Sequence, residues 1–484
     1  MNGVGFSAAA WSSLIPFSSS SSSSWVSQKK LVRPKALNRA FTSDPYVLEL
    51  AETLEESIPS TPSTPLPLHN LRNASSQSLL STPWPSRRDE PFRFTDLSFI
   101  RQSRILPLSH PSPVKILTSH LPPTVYVGPL SALSSSSLLH TVSQYLPHTF
   151  PDADLFWSIN GIAAPDLTLV YVPENCHLQD PIHFHYTPPQ PPTTHPSDTM
   201  YLSNPRVLVV LEKGARAHIT EDFSSEQGND NGRYWSNAAF EAVIGEGAKL
   251  SHSYVQTQSF HAAHTKWTSV RQDSFSAYEL TEVSAGGKLG RHNLRIQQLG
   301  PDTVTELSSL HLSVGEQTQD LHSTLVLDHP RGYSRQLHKC IVAHSQGQAV
   351  FDGNIKVNRY VYALVLQYVN EMHSVQSIER LRYAQQTDAG QLTRSLLLEP
   401  RATVNVKPNL QIVADDVKCS HGAAISDLEE SQLLYFQARG IDQNTARRVL
   451  IFAFGGEVID KFPSSSIRDR VRSHIKNLLD PSSN

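Results

Sequence analysis

The densest grouping of reactive side chains lies in Leu410–Gly422, LQIVADDVKCSHG. Read as an extended strand, it alternates, with Asp415, Val417, Cys419 and His421 on one face and Asp416, Lys418 and Ser420 on the other. Cys419 and His421 are then neighbours on one surface, where a thiolate and an imidazole can share a soft metal or a sulfur species. A nearby lysine, Lys418, would favour the thiolate. Local text alone favours a plainer arrangement, a small buried thiol beside a structural histidine. Two ligands do not close a metal site, so a cluster bound here needs a second chain.

Other groupings are weaker. The chain has 22 histidines, including an H-x-H pair, His183 and His185, and an H-A-A-H pair, His261 and His264. No carboxylate stands at a motif-like spacing from either, which favours structural or surface roles. Gly286, Gly287 and Gly290 in GGKLG lack the order of a phosphate-binding loop and read as a turn. No G-x-S-x-G elbow occurs. Cys176, Cys340 and Cys419 are too few and too far apart for a disulfide framework or a four-thiolate zinc site.

The elements that must position these residues follow from periodicity. From Arg206 onward short strand-like runs end in glycine, and Ala248, Leu250, His252 and Tyr254 alternate with Lys249, Ser251, Ser253 and Val255. Gly214, Gly247, Gly287, Gly315 and Gly347 recur at a loose spacing, which fits the coils of a β-solenoid and equally the turns of a β-sandwich. After Gly422 the period becomes helical. Ser426 and Glu429 form a capping box for a helix ending near Gly440, and Asp442 caps a second helix. A third, from Ser466, carries Ile467, Val471, Ile475 and Leu478 on one face. Upstream, helices are expected at Tyr46–Ser57 and Ser131–Tyr145, a proline-rich connector at Ile58–Leu68, and an extended surface loop at His185–Asp198.

Composition sets the bounds. The 484 residues, 39% apolar and 18% charged, suffice for one large or two medium cores. A net charge of -3 argues against an electrostatic nucleic-acid or polybasic membrane binder. The longest uncharged, largely apolar run, Tyr360–Val369, is about half of what a bilayer span needs. The first 43 residues hold five bases, no acid and 12 serines, seven of them consecutive. That is the composition of a transit peptide, and its serine content leans toward a plastid.

The strings AVFDGNIKV, AQQTDAGQLTRSLLL, VNVKPNLQIVADDVKCSHG and QARGIDQNTARRVLIFAF, in this order, resemble the SufB/SufD family of iron–sulfur cluster assembly proteins. PWPSRRDEPFRFTDLS, NPRVLVVLEKGA and QDLHSTLVLDHP, with the scarcity of cysteine, resemble its SufD branch. The resemblance covers about residues 80–475. It implies a mainly β protein, a right-handed parallel β-helix flanked by N-terminal mixed/helical and C-terminal α-helical regions. The expected organisation is a transit peptide (1–43), an N-terminal region (44–199), a β-helix core (200–422) and a C-terminal helical region (423–484). It also implies a SufB-like partner joined through the β-helices and a SufC-like ABC-type ATPase docked on the C-terminal helices, with Phe452, Phe454 and Arg439 as expected contacts. A nascent cluster is expected near His421, with Cys419 beside it. No cofactor would be held stably by the isolated chain, the iron–sulfur cluster being transient. Tyr360–Arg382 departs from the family pattern, and its apolar text must loop out or pack on the solenoid wall.

The leading expectation is a non-enzymatic scaffold subunit in the plastid stroma, with energy supplied by the partner ATPase. The alternatives are a β-helix carbohydrate-active enzyme, which needs carboxylates clustered along one wall, and a stand-alone metal-binding protein.

Overall fold

The structure, a computed structural model, describes residues 44–58, 64–108, 114–118, 120–146, 153–188, 198–224, 232–358 and 386–479. The expected leader (1–43), the expected insertion (360–382) and most of the proline-rich loop after His185 lie outside the described residues. The N-terminal region contains helices α1 (Pro45–Ser57), α2 (Leu66–Leu79), α3 (Ser98–Arg101), α4 (Ser136–Tyr145) and α5 (Leu155–Ala163). Its strands are β1 (Arg104–Pro107), β2 (Val114–Leu117), β3 (Tyr126–Pro129), β4 (Thr168–Val172), β5 (Ile182–Tyr186) and β6 (Thr199–Ser203). There follow β7 (Arg206–Leu211), β8 (Arg216–Ser224), β9 (Tyr234–Ile244), β10 (Lys249–Thr257), β11 (Ala263–Gln272), β12 (Ala277–Ser284) and β13 (Leu289–Gln298). The run continues through β14 (Val304–Ser313), β15 (Thr318–Leu327), β16 (Tyr333–Val342), β17 (Gln348–Val357), β18 (Thr387–Leu397), β19 (Thr403–Ile412) and β20 (Val417–Ser426). Helices α6 (Glu430–Gln437), α7 (Gln443–Ile459) and α8 (Ser465–Leu479) complete the described chain.

From β7 onward odd strands stack in one sheet and even strands in another, every neighbour parallel, so the chain winds as a right-handed two-walled β-solenoid. Lys249 pairs with Arg216 and Ala277, Ala277 with Val304, Val304 with Tyr333, and Ala263 with Leu289, so these coils take 26 to 33 residues. The glycines that hinted at a repeat belong to two different corners. Gly214 and Gly247 share one with Phe275, Asp302 and Arg331, all at positive φ, whereas Gly287, Gly315 and Gly347 lie at the other. Gly286 and Gly287 do form a turn, but Gly290 sits inside β13, where a Cβ would come within 2.4 Å of Gln319.

The step from Tyr333 to its partner Asp388 takes 55 residues. Asn358 N still donates to Leu327 O (3.0 Å) and Asp388 N to Gly332 O (2.9 Å). The extra residues therefore enter at a corner, and the flanking strands keep their register.

Three local expectations change. The connector expected at Ile58–Leu68 runs into α2, which starts at Leu66 with Pro65 as N-cap and a proline in its first turn, a position that proline's fixed φ suits. The helix expected from Ser131 is a 3₁₀ turn at Leu130–Ala132 followed by α4, capped by Ser135. The Ser426–Glu429 capping box does not form, because the β18–β20 ladder extends through Ser426 and leaves Glu429 as N-cap without a side-chain bond. Asp442 does cap α7, accepting from Thr445 N at 3.0 Å.

The solenoid interior is apolar at its N-terminal coils (Val170, Phe184, Val209, Phe240) but carries ionisable groups in its middle. Glu221 faces Lys266 Nζ at 2.5 Å and His252 Nε2 at 3.0 Å. Glu282 takes His292 Nδ1 and His311 Nε2, each at 3.0 Å. Burial alone would raise both carboxyls, but Lys266 and the histidine contacts outweigh it, holding Glu221 at about 2 and Glu282 well below the carboxylate range. Burial lowers His264, which meets Tyr254 Oη at 2.7 Å, to about 3.

Acid sensitivity follows with a definite sign. The stability contributed by neutral His264 is complete above the ordinary imidazole value near 6.5 and is lost as pH falls toward 3, at about 1.4 kcal/mol per unit. Glu221 adds a second loss as pH falls from the ordinary carboxylate range toward 2. Urea midpoints should be flat just above neutrality and fall between about pH 6.5 and 5, with a shallower slope in His264→Gln. A midpoint unchanged between pH 7 and 5 would contradict a buried neutral imidazole.

Candidate functional site: the open terminal coil and its flanking helices

Cys419 and His421 lie on β20, the last strand of its sheet, opposite Ala389 and Gln391 of β18. Ala389 and Gln391 belong to the inward row of the solenoid, so Cys419 and His421 continue that row into the terminal coil. Val417 and Cys419 pack against the interior core, whereas His421 is exposed because no further coil covers it. Burial raises the Cys419 thiol, so the protonated form is favoured. Lys418 is exposed on the opposite face of the strand, and the expected lysine activation does not prevail over burial.

The coil beneath is polar and incompletely satisfied. Gln391 Nε2 donates to Gln336 Oε1 (2.9 Å) and Gln336 Nε2 to Ser323 Oγ (2.8 Å). Gln391 Oε1, Thr393 Oγ1 and Ser395 Oγ, successive inward groups of β18, are buried with no protein hydrogen-bond partner. Beside them the end of the stack bares Leu392, Ile412, Val413 and Ile425, the last 48% exposed. The result is an apolar, hydrogen-bond-hungry surface with Cys419 and His421 in its mouth.

The helices that follow fold back on the outer face of the even-numbered sheet. Ile451, Val458, Phe462, Ile467, Val471 and Ile475 bury against Val255, Val283, Leu310, Leu312 and Ile341. Phe454 turns toward the sheet, its ring 4.4 Å from buried Lys339 Nζ, which also donates to Phe454 O at 2.9 Å and pairs with Glu457. Phe452 instead lines a groove between α7 and α8. Arg439 is exposed but committed locally, stacked 3.4 Å over Tyr435 and donating to Tyr435 O at 3.1 Å. Phe452 and Phe454, about 200° apart on the helical wheel, thus point to different surroundings, one to the groove and one to the sheet.

Sequence reasoning missed a cluster on the same wall. His183 Nε2 and His185 Nδ1 stand 3.4 and 3.5 Å from Asp222 Oδ2, to which Arg470 of α8 donates at 2.5 Å. Burial would raise Asp222, but His183 and Arg470 together hold it at about 2. The β5–β8 register, His185 opposite Asp222, supplies the carboxylate that local spacing lacked. His261 and His264 are not a pair, since His264 is buried in the interior and His261 is exposed on a turn. The PWPSRRDEPFRFTDLS segment is a strap across the odd-numbered sheet. Its Thr95 bonds Asp320 (2.6 Å), its Pro91 O accepts from Arg291 (3.0 Å), and its Glu90 pairs with Lys407 (2.8 Å). Among the described residues no group of three or more His, Cys, Asp and Glu converges as a metal set.

The described chain is a two-walled parallel β-solenoid scaffold with a bare last coil and a helical region folded back on one wall. The chain belongs to the SufB/SufD family: the model described as "SUF system FeS cluster assembly, SufBD core domain" matches residues 194–361 and 377–454, breaking within the insertion. It is 53% identical over 466 residues to the chloroplastic Protein ABCI7 of Arabidopsis thaliana, covering 91% of this chain and 92% of that one. An iron–sulfur cluster assembly SufBD family protein of Synechocystis is 33% identical over 440 residues, 84% of this chain and 90% of that one. The iron–sulfur cluster assembly protein SufD of Escherichia coli is 31% identical over 278 residues, 56% of this chain and 57% of that one.

Thiol chemistry checks the site geometry. With iodoacetamide at pH 7.5, Cys340, fully buried with its thiol raised by burial, should label only on unfolding. Cys419 should label more slowly than free cysteine and accelerate as pH rises above 9. Faster labelling than free cysteine at neutral pH would mean an activated thiolate.

Proposed function

We propose that this chain is the SufD-type, non-catalytic scaffold subunit of a SufBCD-type complex assembling iron–sulfur clusters in the plastid stroma. The observation that carries this reading is the bare terminal coil. Strands β19 and β20 end both sheets with unpaired edges, exposed Ile412, Val413 and Ile425, and three buried polar groups beneath them without partners. A SufB-like solenoid added there would extend both sheets at once and cover the inward row. A SufC-like ABC-type ATPase would dock on α6–α8, and the nascent cluster would form at the junction beside His421. The cluster is the substrate of the complex. Cys419, protonated by burial, is the weaker candidate for contact with it, and the partner supplies the main thiolates. The acid-free, serine-rich start and the chloroplastic relative agree on a plastid destination.

Two variants separate pairing from chemistry. In chains co-expressed with their partners, Ile425→Asp should prevent pairing with the SufB-like chain while leaving this chain folded, since a charge is added at an already exposed edge. Retained pairing would move the interface elsewhere. His421→Ala should still assemble, because one side chain at an interface of standard size rarely decides association, but cluster yield by visible absorbance should fall several-fold. Cys419→Ser should fall less. Normal yield from an assembled His421→Ala complex would remove His421 from the site, and failure to assemble would make it structural.

A further inference from the structure

We infer that the groove between α7 and α8 receives an amphipathic helix of the partner docked there, one with acidic residues flanking its apolar stripe; the inference rests on the proposed docking of the ATPase on α6–α8. The groove encloses about 1040 Å³. Its lining on α7 runs from Thr445 to Asp460, roughly 22 Å at the helical rise, the length of about four turns. A trough of that length and volume suits a helix better than a small molecule.

The floor is apolar and unusually open. Val449 is 44% exposed, Phe452 half-buried and Ala453 exposed. A Cβ built on Gly456 meets nothing within 4 Å, whereas one on the adjacent Gly455 meets Leu310 of the solenoid at 3.3 Å. Gly455 therefore serves the packing of α7 on the sheet, and Gly456 opens a notch in the outward face where a second backbone can approach.

The rim supplies the polarity. Arg448, Arg472 and Lys476 line it, against Glu457 and Asp460. Glu457 is held by Lys339, and Asp460 and Arg472 offset each other, so the rim's surplus positive charge comes from Arg448 and Lys476. Over residues 441–479 there are seven Lys and Arg against four Asp and Glu, in a chain whose net charge is -3. A basic rim around an apolar floor in an otherwise acidic protein is complementary to an acidic amphipathic helix.

Gly456→Leu tests the floor, because the added side chain enters open space and leucine is the better helix former, so the chain should melt at the same temperature or higher. Co-purified with the SufC-like ATPase, this variant should bind at least tenfold more weakly. Lys476→Glu should bind more weakly and lose most of the salt dependence shown by the unmodified chain. Hydrogen exchange on the unmodified complex supplies the second readout, with protection expected along residues 445–460 and 472–479. Protection confined to α6, with Gly456→Leu binding normally, would overturn the groove while leaving the docking region standing. No protection anywhere on α6–α8 would overturn both. Loss of self-association in Gly456→Leu with ATPase binding unchanged would assign the groove to a second copy of this chain and overturn the inference.

Discussion

Every coil of a parallel solenoid satisfies its neighbour's backbone and covers its neighbour's inward row, so the architecture has two ends that it cannot finish by itself. The two ends of this chain are treated differently. At the start, the sheets stop at β2 and β3, four-residue strands that pair antiparallel with β5 and β4 and so blunt the edge. At the other end they stop at β19 and β20, ten-residue parallel strands with no buried residue, β19 mostly half-buried and β20 mostly exposed. The helices that follow could have crossed that end, but their apolar faces are taken by the outer row of the even-numbered sheet. The bare end is thus a consequence of where Ile451, Val458, Ile467 and Val471 are buried.

The interior imposes a second constraint. Buried carboxylates are tolerated only with partners in hand, and here those partners come from other coils: Lys266 for Glu221, His292 and His311 for Glu282. Removing one member would strand a charge, so each pairing locks the register of the strands that carry it. Toward the terminal coil the charges give way to neutral amides and hydroxyls, Gln336, Gln391, Thr393 and Ser395, three of which keep an unpartnered atom, as His264 and His311 do in earlier coils.

What could be read in advance depended on range. The alternation of Leu250, His252 and Tyr254 places all three inward, as the strand pattern alone required, and the spacing of Ile467, Val471 and Ile475 marks the buried face of α8. Asp442 as an N-cap was equally local. Cross-coil partners were not legible, because coil length varies from 26 to 33 residues even away from the insertion, and the pairing of Glu221 with Lys266 or His185 with Asp222 depends on that register. The spacing of glycines misled for the same reason, mixing two corners into one apparent repeat. The candidate site was legible as a strand face at Cys419 and His421. Its inward orientation was not, since a single strand does not reveal which of its faces the next coil covers.

The position of the helical region matters for the site because of chain length. Strand β20 carries Cys419 and His421 and ends at Ser426, and α6 begins at Glu430, so three residues separate them. Leu428 within that link packs into the same apolar cluster as α7 and α8, leaving little slack. On the other side, Arg470 of α8 reaches Asp222, whose chain neighbour Glu221 faces inward to Lys266. Besides the apolar packing on the even-numbered sheet, the helices are therefore tied to the edge strand of the open end and to the charged interior. A displacement of α6–α8 would reach the bare coil through this short covalent link.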